Sequence, residues 1–432
     1  MHTLADLRAG RLAGSTRLDL SCELRQFPDE IFSLSDTLEV LNLTGNQLSE
    51  LPADLHRLKR LKVLFCSNNL FTELPQALGG CAQLFFVGFK ACKIKHVSPR
   101  SLPPLLRSLV LTDNHIDALP DELGQCRHLQ KLMMAGNRLR SLPPSLAACE
   151  RLELVRISAN QLTELPAWLL QMPALAWLAF AGNPLNDIHN DIHAETPVRL
   201  IPWSQLNLHK VLGEGASGVI QQGEWQDEAG VSHEVAVKLY KGDLTSDGSP
   251  LNELAACIAA GQHRHLIPIE GQICAHPQNV RGLVMPLIDP RFTPLAAPPS
   301  LESCTRDVYR DVRIDATAVR HIAAGIAAAC AHLHARGINH GDLYAHNILW
   351  DESGDNLLGD FGAAAFYPDS DTGRILERIE VRAFGILLDE LLNLCAGESV
   401  QRVLLQDLQR RCVAPYLMSR PSFAELETLL EA

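Results

Sequence analysis

LRSLVLTDNHIDALPDEL (106–123), LQKLMMAGNRLRSLPPSL (129–146) and LELVRISANQLTELPAWL (152–169) follow one another and share the pattern LxxLxLxxNxLxxLPxxL. Working outward, LEVLNLTGNQLSELPADLHRL (38–58) and LKVLFCSNNLFTELPQAL (61–78) precede them, and LAWLAFAGNP (175–184) follows. Asn46, Asn69, Asn114, Asn137, Asn160 and Asn183 mark one position of the unit, at a spacing of 23 residues with a single one-residue slip. Cys92 holds that position in the irregular repeat LFFVGFKACKI and Glu23 in the degenerate LDLSCELRQFP, which makes eight units. Self-similarity at this period is the signature of stacked structural repeats.

The pattern has a physical reading. Alternating leucines suit a short strand with one buried face. The asparagine can turn inward and satisfy backbone groups freed where the chain bends, and the LPxxL segment packs the convex side. One unit cannot bury its own leucines, so the units must stack into a solenoid. Strand positions that face away from the leucines read Val40, Val63, Phe86, Ser108, Lys131, Leu154 and Trp177 in one column. The next column reads Asn42, Phe65, Gly88, Val110, Met133, Arg156 and Ala179. Phe65, Phe86, Val110, Met133, Leu154 and Trp177 make that face unusually apolar. An exposed apolar stripe of this kind predicts a docked protein, with Phe65, Phe86 and Trp177 as anchors. Scattered surface residues, or cover from the C-terminal half, are the competing readings.

Composition sets bounds. The chain has 432 residues, a length that suits two or three domains, with 47% hydrophobic and 20% charged residues. Its 38 Lys and Arg against 50 Asp and Glu give a formal net charge of −12, which disfavours nucleic acid or an anionic membrane as the main partner. The opening MHTLADLRAGRLAG lacks the apolar core of a signal peptide. HIAAGIAAACAHLHARG (321–337) is apolar but broken by His and Arg, so it reads as a buried core helix, and the expected location is cytoplasmic. The 12 cysteines form no CxxC pair; Cys81, Cys126 and Cys149 recur just before a new repeat and read as small buried fillers. The leucine period ends in NPLNDIHNDIHAETPVRLIPWSQL (183–206). This gives a repeat domain over 1–187, a cap and linker over 188–204, and a second domain over 205–432.

The second domain opens on LGEGASGVI (212–220), where Gly213, Gly215 and Gly218 form GxGxxG. Glycines let backbone approach phosphates closely. Dinucleotide-binding folds share this motif, but they place a helix directly after it. Here VIQQGEW continues as strand, and EVAVKLY (234–240) reads as a second strand carrying Lys238. Glu253 lies fifteen residues on, in the helical pattern LNELAACIAAGQ. A lysine held by a helix carboxylate can present its charge to nucleotide phosphates. HGDLYAHNIL (340–349) and LLGDFG (357–362) then supply Asp342, Asn347 and Asp360. Carboxylate and amide oxygens suit Mg2+, and a further carboxylate can orient the hydroxyl that attacks a γ-phosphate.

With these residues in order, the N-terminal half resembles the LPxxL class of leucine-rich repeats, and residues 205–432 resemble a eukaryotic-type protein kinase domain. The resemblance implies an α/β leucine-rich repeat solenoid followed by an α+β bilobal domain. It also implies ATP and Mg2+. Leu212, Gly213, Gly215, Gly218, Ile220, Ala236, Lys238, Met285, Pro286 and Ile288 match the nucleotide-binding positions, with LVMPLI (283–288) at the hinge and Met285 as gatekeeper. Asp342 matches the catalytic-loop aspartate, Lys238 and Glu253 the strand–helix pair, and Asn347 and Asp360 the metal-holding positions. AFGILLDELL (383–392) and SRPSFAEL (419–426) resemble the family's late helices.

Departures from the family pattern carry information. Gly341 replaces the arginine of HRD, so control by activation-loop phosphate is not expected. Tyr344 stands where Ser/Thr kinases have lysine. Glu380 and Arg382 replace the usual Asp and Trp before AFG. Only seventeen residues separate Gly362 from Glu380, which predicts a truncated peptide platform. Pro368 and Asp369 read as a relic of APE, with Arg420 as the salt-bridge partner. The resulting expectation is an ATP-dependent protein kinase, Ser/Thr rather than Tyr, recruited by its repeats for signalling. A small-molecule phosphotransferase of the HGDxxxxN type and a pseudokinase scaffold are the alternatives.

Overall fold

A computed structural model describes residues 2–186, 198–215, 217–242, 244–310, 313–368, 370–395 and 399–431. The chain divides into two compact units, Met1–Ala174 and Leu175–Ala432.

The first unit is a ladder of three-residue parallel strands: β1 (Arg17–Asp19), β2 (Val40–Asn42), β3 (Val63–Phe65), β4 (Phe86–Gly88), β5 (Ser108–Val110), β6 (Lys131–Met133) and β7 (Leu154–Arg156). The repeat period sets the register, Val40 opposite Val63 and Val63 opposite Phe86. Short 3-10 turns such as Asp121–Gln125 and Pro144–Ala148 follow the LP dipeptides. The strand-centre leucines, including Leu41, Leu64, Leu109 and Leu132, have no exposed surface.

The asparagines form a buried ladder. Asn69 Nδ2 donates to the carbonyls of Leu43 and Cys66 at 2.9 and 3.0 Å, and its Oδ1 accepts the Leu48 N–H at 2.9 Å. Asn114, Asn137 and Asn160 repeat the arrangement. At the irregular position the Cys92 thiol donates to the Cys66 carbonyl instead, at 3.4 Å. Glu23, in the first repeat, is exposed at φ 57°, and Asn46 Oδ1 accepts the N–H groups on either side of it. Cys81, Cys126 and Cys149 are buried, and burial pushes each thiol up to about 11, so they are inert fillers.

The apolar face needs correction at two of its named positions. Leu154 and Trp177 are 3% and 1% exposed, and side chains so covered have no surface left to offer a partner. Val63 is equally covered. Phe65, Phe86, Val110 and Met133 stay half-buried, with the two phenyl rings 4.9 Å apart.

The second unit begins with β8 (Trp177–Ala179), the strand of the eighth repeat. A six-stranded sheet follows, from β9 (Leu200–Pro202), β10 (Leu206–Glu214), β11 (Gly218–Gln226), β12 (Ser232–Tyr240), β13 (Gly271–Cys274) and β14 (Gly282–Pro286), in the order β10-β11-β12-β14-β13-β9. Helix α1 (Pro250–Ala260) starts at a Ser249 cap with proline in its first turn, the usual N-terminal signals. The rest is mainly helical: α2 (Ala316–His334), α3 (Asp371–Leu394), α4 (Val400–Cys412) and α5 (Phe423–Glu431). Helix α2 is long and apolar enough to cross a membrane, but 61% of that stretch is buried inside the fold.

Candidate active site

The glycine-rich segment is the turn between β10 and β11, closed by the Gly215 N–H on the Gly218 carbonyl at 2.9 Å. A Cβ at Gly218 would stand 2.4 Å from the Leu239 carbonyl, so only glycine allows this approach. Antiparallel pairing sets Gly213 opposite Ile220, Ile220 opposite Lys238, and Ala236 opposite Met285. Four strands, β10, β11, β12 and β14, thus bring the glycine turn, Lys238 and Met285 together.

Lys238 Nζ is paired with Glu253 Oε1, a short contact in which the glutamate is 2% exposed. Burial pulls the lysine's pKa down, but Glu253 overrides it, so the ammonium is held above its ordinary value. Asp360 adds to this, and it raises the Glu253 carboxyl together with burial. Asp360 sits in the left-handed region at φ 54°, with its Oδ1 accepting the Gly362 N–H at 3.1 Å. Such backbone is stored where surroundings over-determine it, often at functional sites.

These residues line a cavity of about 260 Å3 that includes Gly215, Gly218, Ile220, Lys238, Glu253, Met285 and Asp360. Pro286 and Ile288 line a neighbouring cavity of about 470 Å3. Leu212 is exposed at 45%, and Leu212, Gly213 and Ala236 line neither space. Asp247, which the sequence did not single out, adds a carboxylate to the first cavity; it lies on the loop before α1, where no motif signals it.

The loop that carries Asp342 and Asn347 follows the short strand Ile338–Asn339. Asn347 Nδ2 donates to both the Asp342 carbonyl and Asp342 Oδ2, at 2.9 and 3.0 Å. His340 is fully buried, and its Nε2 pairs with the Gly359 carbonyl at 2.9 Å, which ties this loop to the residue just before Asp360. Glu380, from α3, accepts the backbone N–H groups of His340 and Gly341 at 3.2 and 2.6 Å and pairs with His334 at 2.8 Å. Burial alone would raise its carboxyl, but His334, His340 and the Gly341 N–H hold it below its usual range. The Glu-for-Asp departure is therefore a working clamp on the loop.

The stretch after DFG is brief. Only residues 363–370 separate Gly362 from α3. Arg420 donates to the carbonyls of Ala414 and Arg378, both at 2.9 Å. Its expected partner Asp369 lies outside the described residues.

Residues 206–382 match the protein tyrosine and serine/threonine kinase family, and 37–58 and 104–162 match leucine-rich repeat families. The chain carries leucine-rich repeats followed by a protein kinase domain. It is 32% identical to the CBL-interacting protein kinase 22 of rice, over 37% of this chain and 36% of that protein. It is 29% identical to a probable LRR receptor-like serine/threonine-protein kinase of Arabidopsis thaliana, over 42% of this chain and 18% of that one. A probable inactive serine/threonine-protein kinase of Dictyostelium discoideum shares 32% identity over 27% of this chain and 5% of its own length. The chain thus spans 5 to 36% of the length of these curated relatives.

Proposed function

We propose that the protein is an ATP-dependent protein kinase that transfers the γ-phosphate to a protein hydroxyl, serine or threonine in preference to tyrosine. The observation that carries this reading is the ion pair between Lys238 and the buried Glu253, with Asp360 nearby. A carboxylate as buried as Glu253 is costly unless it is used or compensated, and a cation lining a cavity suits nucleotide phosphates.

In this reading Lys238 orients the α- and β-phosphates, Glu253 holds the lysine, and Asp342 accepts the proton of the attacking hydroxyl. The nucleotide lies under Gly215 and Gly218, against Ile220 and Met285, with Pro286 and Ile288 beside it. Mg2+ fits the donor set. Among the described residues no three His, Cys, Asp or Glu cluster for a metal. One carboxylate, Asp360, and the amide oxygen of Asn347 are what a cation that keeps water and phosphate in its shell requires. When bound, the ion would neutralise charge on the β- and γ-phosphates.

The repeats would recruit a protein partner through the half-buried patch of Phe65, Phe86, Val110 and Met133. The kinase would act in the cytoplasm.

A second reading, a small-molecule phosphotransferase, has one observation behind it: the brief link between Gly362 and α3 leaves little to hold a peptide. Radiolabelled ATP with the purified protein, alone and with cell lysate, separates the cases. Label on protein is the expected result. Label only on small metabolites overturns it in favour of the second reading, and no label leaves a scaffold.

A further inference from the structure

We propose that β8, through Trp177, positions the catalytic loop where the segment after DFG is too short to do so. This rests on the phosphotransfer role of Asp342 put forward above. In the repeat pattern Trp177 belongs to the solvent-facing column, yet it is 1% exposed. Its indole lies flat on the Tyr344 ring, with centroids 4.3 Å apart and planes 6° from parallel. Its Nε1–H donates to the Leu343 carbonyl at 3.0 Å. The Arg306 guanidinium lies 5.7 Å from the same indole.

The next residue of the strand completes the grip. The Leu178 carbonyl accepts Asn339 Nδ2 at 3.2 Å. It also lies 2.8 Å from where a Cβ of Gly341 would stand, and Gly341 has φ +73°. Loop residues 339, 341, 343 and 344 therefore meet β8, on both sides of Asp342 in sequence. Asn186 Nδ2 donates to the Phe366 carbonyl at 3.2 Å, so the stretch from Trp177 to Asn186 also holds the segment after DFG. That segment in turn pairs with Ile338–Asn339.

The physical need is plain. A loop that carries the proton acceptor must hold it near a productive geometry, and a displacement of about 1 Å can cost roughly a hundredfold in rate. With only residues 363–370 between DFG and α3, the chain has little activation segment to supply that restraint. An indole spanning Leu343 and Tyr344, together with a strand carbonyl bonded to Asn339, supplies it. Trp177 is thus a positioning residue, and the catalytic machinery extends N-terminal of the residues that match the kinase family.

The test uses the full chain with Trp177→Ala and Trp177→Phe. Turnover, the KM for ATP and amide hydrogen exchange over 339–347 are measured well below each melting temperature. Expected for Trp177→Ala is a kcat lower by about a hundredfold, a KM for ATP within twofold of the parent, and faster exchange confined to the loop. Trp177→Phe keeps a flat ring on Tyr344 and should recover most of kcat, with exchange faster at the loop alone; this milder variant also serves if the alanine protein does not fold. Unchanged kcat in a folded Trp177→Ala protein overturns the proposal whatever the exchange, as does loop exchange unchanged in both variants or exchange that rises evenly across the domain. If the parent protein transfers phosphate to no acceptor, the kinase reading fails while the exchange data still decide whether Trp177 orders the loop.

Discussion

Glu380 Oε1 accepts the backbone N–H of Gly341 at 2.6 Å, a bond between α3 and the residue that replaces the family's arginine. The same carboxylate holds the His340 N–H and His334, and it is 1% exposed. Removing it strands buried donors, each worth about 1–3 kcal/mol. Glu380→Ala should therefore destabilise the kinase domain by roughly 3 kcal/mol, read as a lower urea midpoint. Glu380→Gln keeps one acceptor and should lose less. A midpoint within error of the parent for both variants would show that the clamp is dispensable.

Asp342 and Lys238 should fail in different ways. Asp342→Asn should lower the transfer rate by about 10²–10⁴ while ATP still binds, because in the proposed reading the carboxylate serves the acceptor hydroxyl. Lys238→Met and Asp360→Asn should instead weaken Mg-ATP binding. Nucleotide titration by fluorescence beside single-turnover kinetics distinguishes the two classes. Full turnover in Asp342→Asn would remove that residue from the reaction.

The repeat architecture was legible because six asparagines recur in register and each alternation of leucine marks a strand. The kinase motifs were legible for a related reason: Lys238, Glu253, Asp342, Asn347 and Asp360 are single residues whose order is fixed by the fold. What pattern could not supply is which surface meets which. Trp177 reads as solvent-facing because periodicity reports a residue's side of a strand, while Leu343 and Tyr344, which cover it, lie more than 160 residues away. Glu380 reads as a departure from a motif, yet its carboxylate reaches the backbone donors of the catalytic loop from α3. Asp247 belongs to no motif at all.

Gly341 should not tolerate the arginine that the family pattern would put there. Its φ of +73° disfavours any side chain, and a Cβ would lie 2.7 Å from the Ala363 carbonyl and 2.8 Å from that of Leu178. Backbone strain of this kind costs about 1–3 kcal/mol before the clash is counted. Gly341→Arg should lower both the melting temperature and the transfer rate. The same absence of an arginine means no phosphate on the short DFG segment can be read at this position. Phosphatase treatment of the parent protein should accordingly leave its rate unchanged, and a large fall would place such control elsewhere.

The last expectation concerns pH. Glu390 on α3 accepts the Tyr309 hydroxyl at 2.9 Å, and burial, with Asp307 nearby, pushes its carboxyl up from 4.5 to about 7; Tyr309 and Arg306 oppose the shift. A carboxyl raised in the folded state binds its proton more tightly there than in the unfolded chain. Its contribution therefore favours folding at low pH and is lost as pH rises from near 4.5 through about 7. Each tenfold difference in proton affinity between the two states is about 1.4 kcal/mol, so the loss between pH 5 and 8 should be roughly 2 kcal/mol. Glu390→Gln cannot ionise and keeps an acceptor for Tyr309. Its stability minus that of the parent should rise by that amount across the range, in urea unfolding followed by circular dichroism. Parallel profiles for the two proteins would mean that Glu390 is already ionised at pH 5 in the folded state.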